Sequence, residues 1–303
     1  MSAASAREPL VTVGLPVYNG ERFVAKSIET LLAQTFRDFK IVISDNASTD
    51  RTGEICREFA SRDPRIEYHR NQTNIGMAGN YNLTFGLSRS KYFRWATADD
   101  FCAPELLEDH VKVMESDPSI ALAYPRAWFV DEDGTPYEAW KDELHLMGDD
   151  PVERFKVVVK QIRRVHHHLG LMRADCVRKT GGIAKHVSSD VGFIAEMSLL
   201  GKFYQIDKQQ FFRRLHRDSS SWATNDEQHQ ARRYHASNVN RIPFSRFRFH
   251  GYGVGVVRRS SLSRAQRLDL YVFLAGRAAS EWRWLGGEVR RELRRVVRPS
   301  GTE

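Results

Sequence analysis

Two neighbouring acids, Asp99 and Asp100, close the apolar, aromatic run Tyr92-Phe93-Arg94-Trp95-Ala96-Thr97-Ala98. Adjacent carboxylates repel. A divalent cation holding a diphosphate relieves that repulsion and also yields chemistry. Ahead of Pro104-Glu105-Leu106-Leu107 the same pair would serve equally as a helix cap, the commoner use when the pair is taken alone. A third acid, Asp45, ends another apolar run, Phe39-Lys40-Ile41-Val42-Ile43-Ser44. A fourth, Asp190, precedes Ile194 and Met197 at helical spacing, which puts it on the inward face of a helix running to Leu200. There it is either a helix cap or a working carboxylate on a cleft floor, with Glu196 on the same helix in reserve. His166-His167-His168 could suggest a metal, but neighbours on a strand point to opposite faces and cannot converge on one ion. Ordinary surface or cleft histidines are expected.

The elements that would position these acids alternate. Leu10 to Asn19 reads as a buried strand stopping near Pro16, which has no N–H for a ladder. Phe23, Val24, Ile28, Leu31 and Leu32 mark one face of a helix within Glu21 to Phe36. A strand then leads to Asp45, a helix carries Ile55 and Phe59, and a short strand covers Arg65 to His69. After the turn-rich Asn71 to Gly76 comes a helix over Met77 to Leu87. Such alternation predicts an α/β protein with a mainly parallel sheet and helices on both faces. Parallel strands end on one edge, so Asp45, Asp99 and Asp100 should share a rim, where open sheets bind ligands. That shared rim favours a ligand site over unrelated caps. Further on, helices are expected over Pro104 to Glu115 and Val152 to Arg164. Strands are expected over Ile120 to Tyr124, Phe203 to Ile206 and Gln209 to Leu215. Asp131-Glu132-Asp133-Gly134 reads as a turn with solvated acids.

Val13-Gly14-Leu15-Pro16-Val17-Tyr18-Asn19, Ile28 to Thr35 and Ser44-Asp45-Asn46-Ala47-Ser48-Thr49-Asp50 resemble the opening of the family 2 glycosyltransferases. Asn71-Gln72-Thr73-Asn74-Ile75-Gly76 with Asn80 resembles that family's Asn-x-Gly segment. The likeness runs from about Leu10 to about Ser220 and is most specific over the first hundred residues. It implies a GT-A fold, a nucleotide-sugar donor, most simply a UDP-sugar, and an inverting transfer to a hydroxyl of a glycan or lipid-linked glycan. It implies that Pro16, Tyr18, Asn19 and Asn74 line the nucleotide pocket and that Asp45 accepts a hydrogen bond from the base. Asp99, with Asp100 beside it, would hold the Mn2+ or Mg2+ that bridges the donor phosphates. Asp190 falls where the family carries its catalytic base. Arg213-Arg214-Leu215-His216 resembles the Arg-x-His segment, with Arg214 for the diphosphate and His216 for the metal or the diphosphate; a basic surface loop is the equal alternative. Thr97 departs from the pattern, since the family often has an acid there. Ser219 to Asn225, with Trp222, reads as a lid.

The resemblance divides the chain into a donor half (1–105), an acceptor half (106–225) and an Arg-rich helical extension (226–303). Helices are expected there over Asp226 to Asn240 and Ser263 to Arg295. From Arg241 onward fourteen Arg and no Lys face five acids, a net of +9, while the first 240 residues carry −1. With Leu268, Tyr271, Phe273, Trp282 and Trp284 that end suits an anionic membrane, a second subunit or the chain's own body. No apolar run approaches the roughly 18 residues of a membrane span, and Met1 to Pro9 lacks the apolar core of a signal peptide. Cys56, Cys102 and Cys176 are too few and too scattered for a disulfide framework or a zinc site. Cytoplasmic localisation is expected, with attachment to the inner face of the membrane as an extension of that reading. A nucleic-acid role is not expected, because no helix-turn-helix, zinc finger or RNP pattern accompanies the Arg-rich end. A nucleotidyltransferase would need a Gly-rich activating loop near the N-terminus, which the sequence lacks. A catalytically inactive glycan-binding relative is the remaining alternative, motivated by Thr97.

Overall fold

The structure, a computed structural model, describes residues 7–141, 144–162, 165–186, 188–216 and 245–297. Its first half alternates strand and helix: β1 (Val11–Val17), α1 (Val24–Leu32), β2 (Phe39–Asp45), α2 (Thr52–Arg62), β3 (Ile66–Arg70), α3 (Gly76–Gly86) and β4 (Tyr92–Trp95). All seven residues of β1 are buried, as expected of a parallel strand covered on both faces. β1 pairs parallel with β2 and with β4, and β2 pairs parallel with β3. Pro16 is tolerated inside β1 because the ladder to β4 ends at Gly14 and Trp95, before the missing N–H matters. Gly14 lets α3 lie against β1: a Cβ there would come within 2.6 Å of Thr84 Oγ1 and 2.7 Å of Phe93 Cζ.

The second half adds β5 (Phe101–Cys102), α4 (Leu106–Ser116), β6 (Ile120–Val130), β7 (Pro136–Ala139) and α5 (Pro151–Gln161). A 3-10 turn (His167–Leu169), β8 (Leu171–Arg173), α6 (Ala174–Arg178), α7 (Ser189–Leu200) and β9 (Lys202–Arg214) follow. Together they complete one nine-stranded sheet in the order β3-β2-β1-β4-β8-β6-β9-β5, with β7 paired to β6. The short β8 runs antiparallel between β4 and β6, and β6 and β9 are parallel to each other. Successive residues of β4 feed opposite faces: Phe93 and Trp95 enter one apolar core, Tyr92 the other.

Three helices close the described chain: α8 (Ser245–Arg259), α9 (Arg264–Ser280) and α10 (Trp282–Val297). Ser263 and Gln266 form a capping box at the start of α9. Val256 and Val257 of α8 and Leu270 and Leu274 of α9 are buried in the same core as α5 and α7. The extension therefore packs on the body. Among the described residues no helix is long and apolar enough to cross a membrane.

The sheet, its helices and the placing of the first seven elements match the sequence expectations. Three expectations change. The two strands foreseen over 203–215 are one, because register shifts opposite Pro125 to Ala127 carry the pairing past Asp207 and Lys208. α8 was not foreseen. His166, His167 and His168 sit in and before a 3-10 turn, all buried, rather than on a strand or at the surface. The helix expected over 226–240 lies outside the described residues, as do Trp222 and its lid.

Candidate active site

The loops that leave β1 and β2 are tied together at the rim. Asn19 adopts φ 49°, a left-handed conformation that Asn tolerates. Its N–H donates to Ser48 Oγ at 3.0 Å, and its side-chain oxygen accepts from the Thr49 N–H at 2.8 Å. The Gly20 N–H donates to Thr52 Oγ1, and the Arg51 N–H to Glu21. Tyr18, half exposed at 50%, stands beside this seam. Asn74 is internal to the neighbouring loop: its oxygen accepts from Asn46 Nδ2 and from the Gly76 N–H at the start of α3. Below it Asn80 bridges the Ser44 hydroxyl and carbonyl. Pro16 is buried in β1.

Asp45 lies under the rim rather than on it. Its carboxylate is fully buried and accepts from the Ser48 N–H, the Tyr68 hydroxyl and Arg70. Burial alone would raise its pKa. Hydrogen bonds from Ser48 and Tyr68 and the charge of Arg70 outweigh that and hold it below the usual carboxylate range. Three protein donors already occupy this acid, so it braces the loop after β2. The resemblance implied a hydrogen bond from a nucleotide base; here the carboxylate is held by these three donors.

The two central acids occupy the loop between β4 and β5 and are used differently. Asp99 is partly exposed, and its Oδ2 lies 3.1 Å from His216 Nε2. His216 follows β9, is largely buried, packs 4.9 Å from the Phe23 ring, and has a buried Nδ1 with no hydrogen-bond partner in the structure. Asp100 turns inward. It accepts from the Arg214 N–H at 2.8 Å and from the Thr97 hydroxyl. Burial, then the charge of Asp99, push its pKa up. Asp100, expected beside Asp99 as a metal ligand, has both of its oxygens engaged in holding the loop. Thr97, where the family often has an acid, supplies one of those bonds.

Arg214 is also committed inward. Its Nε donates to the Asp99 carbonyl at 3.0 Å and its Nη1 to the carbonyls of Asp131 and Glu132. The guanidinium lies 4.7 Å from the Phe23 ring centroid and 5.4 Å from that of Phe101. Expected at a diphosphate, Arg214 here fastens the acidic loop to the β6–β7 turn. The acids of that turn are not merely solvated, since Glu132 also pairs with Arg22.

Asp190 occupies the first turn of α7, as expected, and is partly buried. Burial raises its pKa, against the opposing Val191 N–H, Arg213 and His186. Two residues lie near both Asp190 and the other acids. The Tyr81 hydroxyl feels the charges of Asp99, Asp100 and Asp190 together. The Arg213 guanidinium acts on both Asp100 and Asp190. Neither Tyr81 nor Arg213 was singled out from sequence, although alternation along a strand sends Arg213 and Arg214 to opposite faces. Glu196, the second candidate base, is excluded by its partners: it is buried and bound to Tyr252, Arg259 and the Gly181 N–H.

The histidine triplet does not line the cleft for a sugar. Its rings pack against Tyr124, Trp140, Trp95 and Tyr81, and burial pushes the pKa of His167 and of His168 down to about 3. Among the described residues no cluster of three or more His, Cys, Asp or Glu side chains could hold an ion by itself. Asp99 with His216 is a two-group donor set. It fits an ion that takes its other ligands from a diphosphate and water.

A family described as "Glycosyl transferase family 2" matches residues 12–180, from β1 to just beyond α6. An uncharacterized glycosyltransferase of Methanocaldococcus jannaschii is 32% identical over 161 residues, which is 52% of this chain and 53% of that protein. Chondroitin synthase of Escherichia coli is 27% identical over 223 residues, 73% of this chain but 31% of the synthase. The chain thus spans about half of the first relative and under a third of the second. Among solved structures, S. aureus TarS 1-349 in complex with UDP superposes with a TM-score of 0.64 at 14% identity, over 89% of this chain and 72% of that one. A mannosyltransferase from Pyrobaculum calidifontis, in complex with GDP-Man and Mn2+, gives 0.52 at 14% identity, over 98% and 89%. At such identity these likenesses speak to architecture, and the architecture is of the GT-A type. With more than half its length matched by the family, in the order of elements that carries Asp45 and Asp99 to one edge of the sheet, the chain belongs to glycosyl transferase family 2.

Proposed function

We propose that the chain is an inverting glycosyltransferase that moves a sugar from a nucleoside-diphosphate sugar to a hydroxyl of a glycan or lipid-linked glycan. The observation that carries this reading is the pairing of Asp99 with His216 at the ends of β4 and β9, in a chain of glycosyl transferase family 2. Asp99 Oδ2 and His216 Nε2 would hold the divalent ion. When bound, that ion supplies positive charge to the departing diphosphate. An imidazole beside a carboxylate suits Mn2+ better than Mg2+, which prefers oxygen alone. Asp190 accepts the proton of the acceptor hydroxyl as its oxygen bonds to the anomeric carbon and the bond to the phosphate oxygen breaks. One base and a single displacement give inversion. Tyr18, Asn19 and Asn74 remain the rim groups nearest a nucleotide. Residues 1–105 form the donor half, and 106–225 the acceptor half.

A UDP-sugar is the first donor to try, because the TarS structure carries UDP; the mannosyltransferase with GDP-Man makes guanosine the second. Exposed Leu268, Val272, Trp282 and Trp284 on the Arg-rich extension fit contact with an anionic membrane bearing a lipid-linked acceptor. Co-sedimentation with phosphatidylglycerol vesicles, weakening with salt, tests that contact. The alternative, an inactive glycan-binding relative, has Thr97 in its favour and Asp190 against it.

A melting-temperature panel of UDP, GDP and their sugar derivatives, with and without Mn2+, tests the reading. A ligand that binds only the folded state raises the midpoint as its concentration exceeds its dissociation constant. A Mn2+-dependent rise with one diphosphate is expected. No rise with any of them would overturn the donor site.

A further inference from the structure

Helix α7 carries Asp190 in its first turn, and little local chemistry holds that turn. Its N-cap, Ser188, makes no side-chain capping bond and sits at φ 63°, in the left-handed region. The side-chain cap that usually stabilises a helix start is absent there, and the local bond is from the Val191 N–H to Asp190 Oδ1 at 3.0 Å. Restraint comes from behind. Gly192 and Glu196, four residues apart, share one face of α7, and Asp190 lies about 200° round the helix from Gly192. A Cβ on Gly192 would stand 2.5 Å from the Tyr252 ring, so α8 lies directly against α7.

One turn further on, the buried Glu196 gathers three partners. Its Oε1 pairs with Arg259 at 3.0 Å, and its Oε2 accepts from the Tyr252 hydroxyl at 3.0 Å and from the Gly181 N–H at 3.1 Å. Gly181 leads through Gly182, at φ 65°, to Ile183. The Ile183 N–H and carbonyl are both bound by the Asn82 side chain of α3, at 2.9 and 2.8 Å. A continuous set of hydrogen bonds thus runs from α8 through α7 and the 181–183 loop to α3. The family match ends at residue 180, before α7 and α8 begin.

We infer that Glu196, Tyr252 and Arg259 are positioning residues for Asp190, and that α8 belongs to the catalytic apparatus. The inference rests on Asp190 being the base. Proton transfer tolerates little error in the placing of a base, and a shift near 1 Å can cost about a hundredfold in rate. Substituting Arg259 frees one oxygen of a buried carboxylate, so α7 should loosen locally and Asp190 with it.

The test uses the full chain with Tyr252→Phe, Arg259→Gln and the conservative Arg259→Lys. Two quantities are read: amide hydrogen exchange, peptide by peptide, and UDP release from UDP-N-acetylglucosamine with Mn2+. Exchange over 188–196 should rise about tenfold or more in Arg259→Gln while β1 to β4 stay protected. The kcat should fall about ten- to a hundredfold with the donor KM nearly unchanged, and Arg259→Lys should recover much of both. Unchanged exchange over 188–196 in both Tyr252→Phe and Arg259→Gln would overturn the inference without any turnover measurement. A uniform rise of exchange across the chain, with no recovery by Lys, would also overturn it, as the mark of a purely structural role. Normal turnover in Arg259→Gln against collapsed turnover in Asp190→Asn overturns the positioning alone. Normal turnover in Asp190→Asn overturns the assignment of the base.

Discussion

Asp190 holds a charge that folding opposes and catalysis requires. Its raised pKa means that the folded protein binds this proton more tightly than the unfolded chain does. The cost of burying its charge is therefore absent below about pH 3.9, the ordinary aspartate value, and grows as pH rises through the folded-state pKa. Asp190→Asn removes that cost. Its melting temperature should exceed that of the wild type at pH 7 and approach it near pH 3, while turnover falls by about 10²–10⁴-fold and UDP affinity is kept. A lower melting temperature at pH 7 would contradict the burial argument. Asp99 behaves differently because it faces the cleft: Asp99→Ala should weaken Mn2+-dependent UDP binding by about tenfold or more, measured by titration calorimetry. Residue type and position singled out Asp99 and Asp190, and the resemblance gave Asp99, Asp190 and His216 their expected roles. It could not show that Asp45, Asp100 and Arg214 face inward, because their partners Arg70, Thr97 and the carbonyls of 131–132 come together only in the fold.

Among the elements, β1, β2 and the helix α1 between them were legible because unbroken apolar runs and 3.6-residue spacing have few other readings. α8 was hidden. Gly251, Gly253 and Gly255 each disfavour a helix by about 1 kcal/mol relative to Ala, and the helix forms because Val256 and Val257 find the core of α5 and α7. β9 read as two strands because Asp207 and Lys208 resemble a turn, and its pairing to β6 overrides them. The contact of β1 with α3 depends on one missing side chain. Gly14→Ala should lower stability by about 1–3 kcal/mol, seen as a reduced urea midpoint with an unchanged slope. An unaffected midpoint would mean that Thr84 and Phe93 can move aside.

Across the whole molecule, four buried histidines set a lower pH limit. Burial pushes His110, His167 and His168 down to about 3, and His166 well below its ordinary value. These groups stay neutral in the folded state and take up protons on unfolding below about pH 6.5, so stability should fall as pH drops from there toward 3. Each contributes a slope of up to about 1.4 kcal/mol per pH unit. Thermal melts between pH 7 and 4.5 should show a steep decline, and a flat profile would refute it. The sequence displayed the triplet, but whether it met water or Tyr124 and Trp140 depended on how the chain after α5 returned to the sheet. That return also shapes the mechanics. β8 is three residues long and meets each neighbour through only two paired positions, yet it is the strand joining the β1–β4 part of the sheet to the β6–β9 part. Bending stiffness is lowest along such a seam. A sheet held together at its middle by so few rungs is free to flex there, so the two parts can change their mutual angle at less cost than either can deform internally.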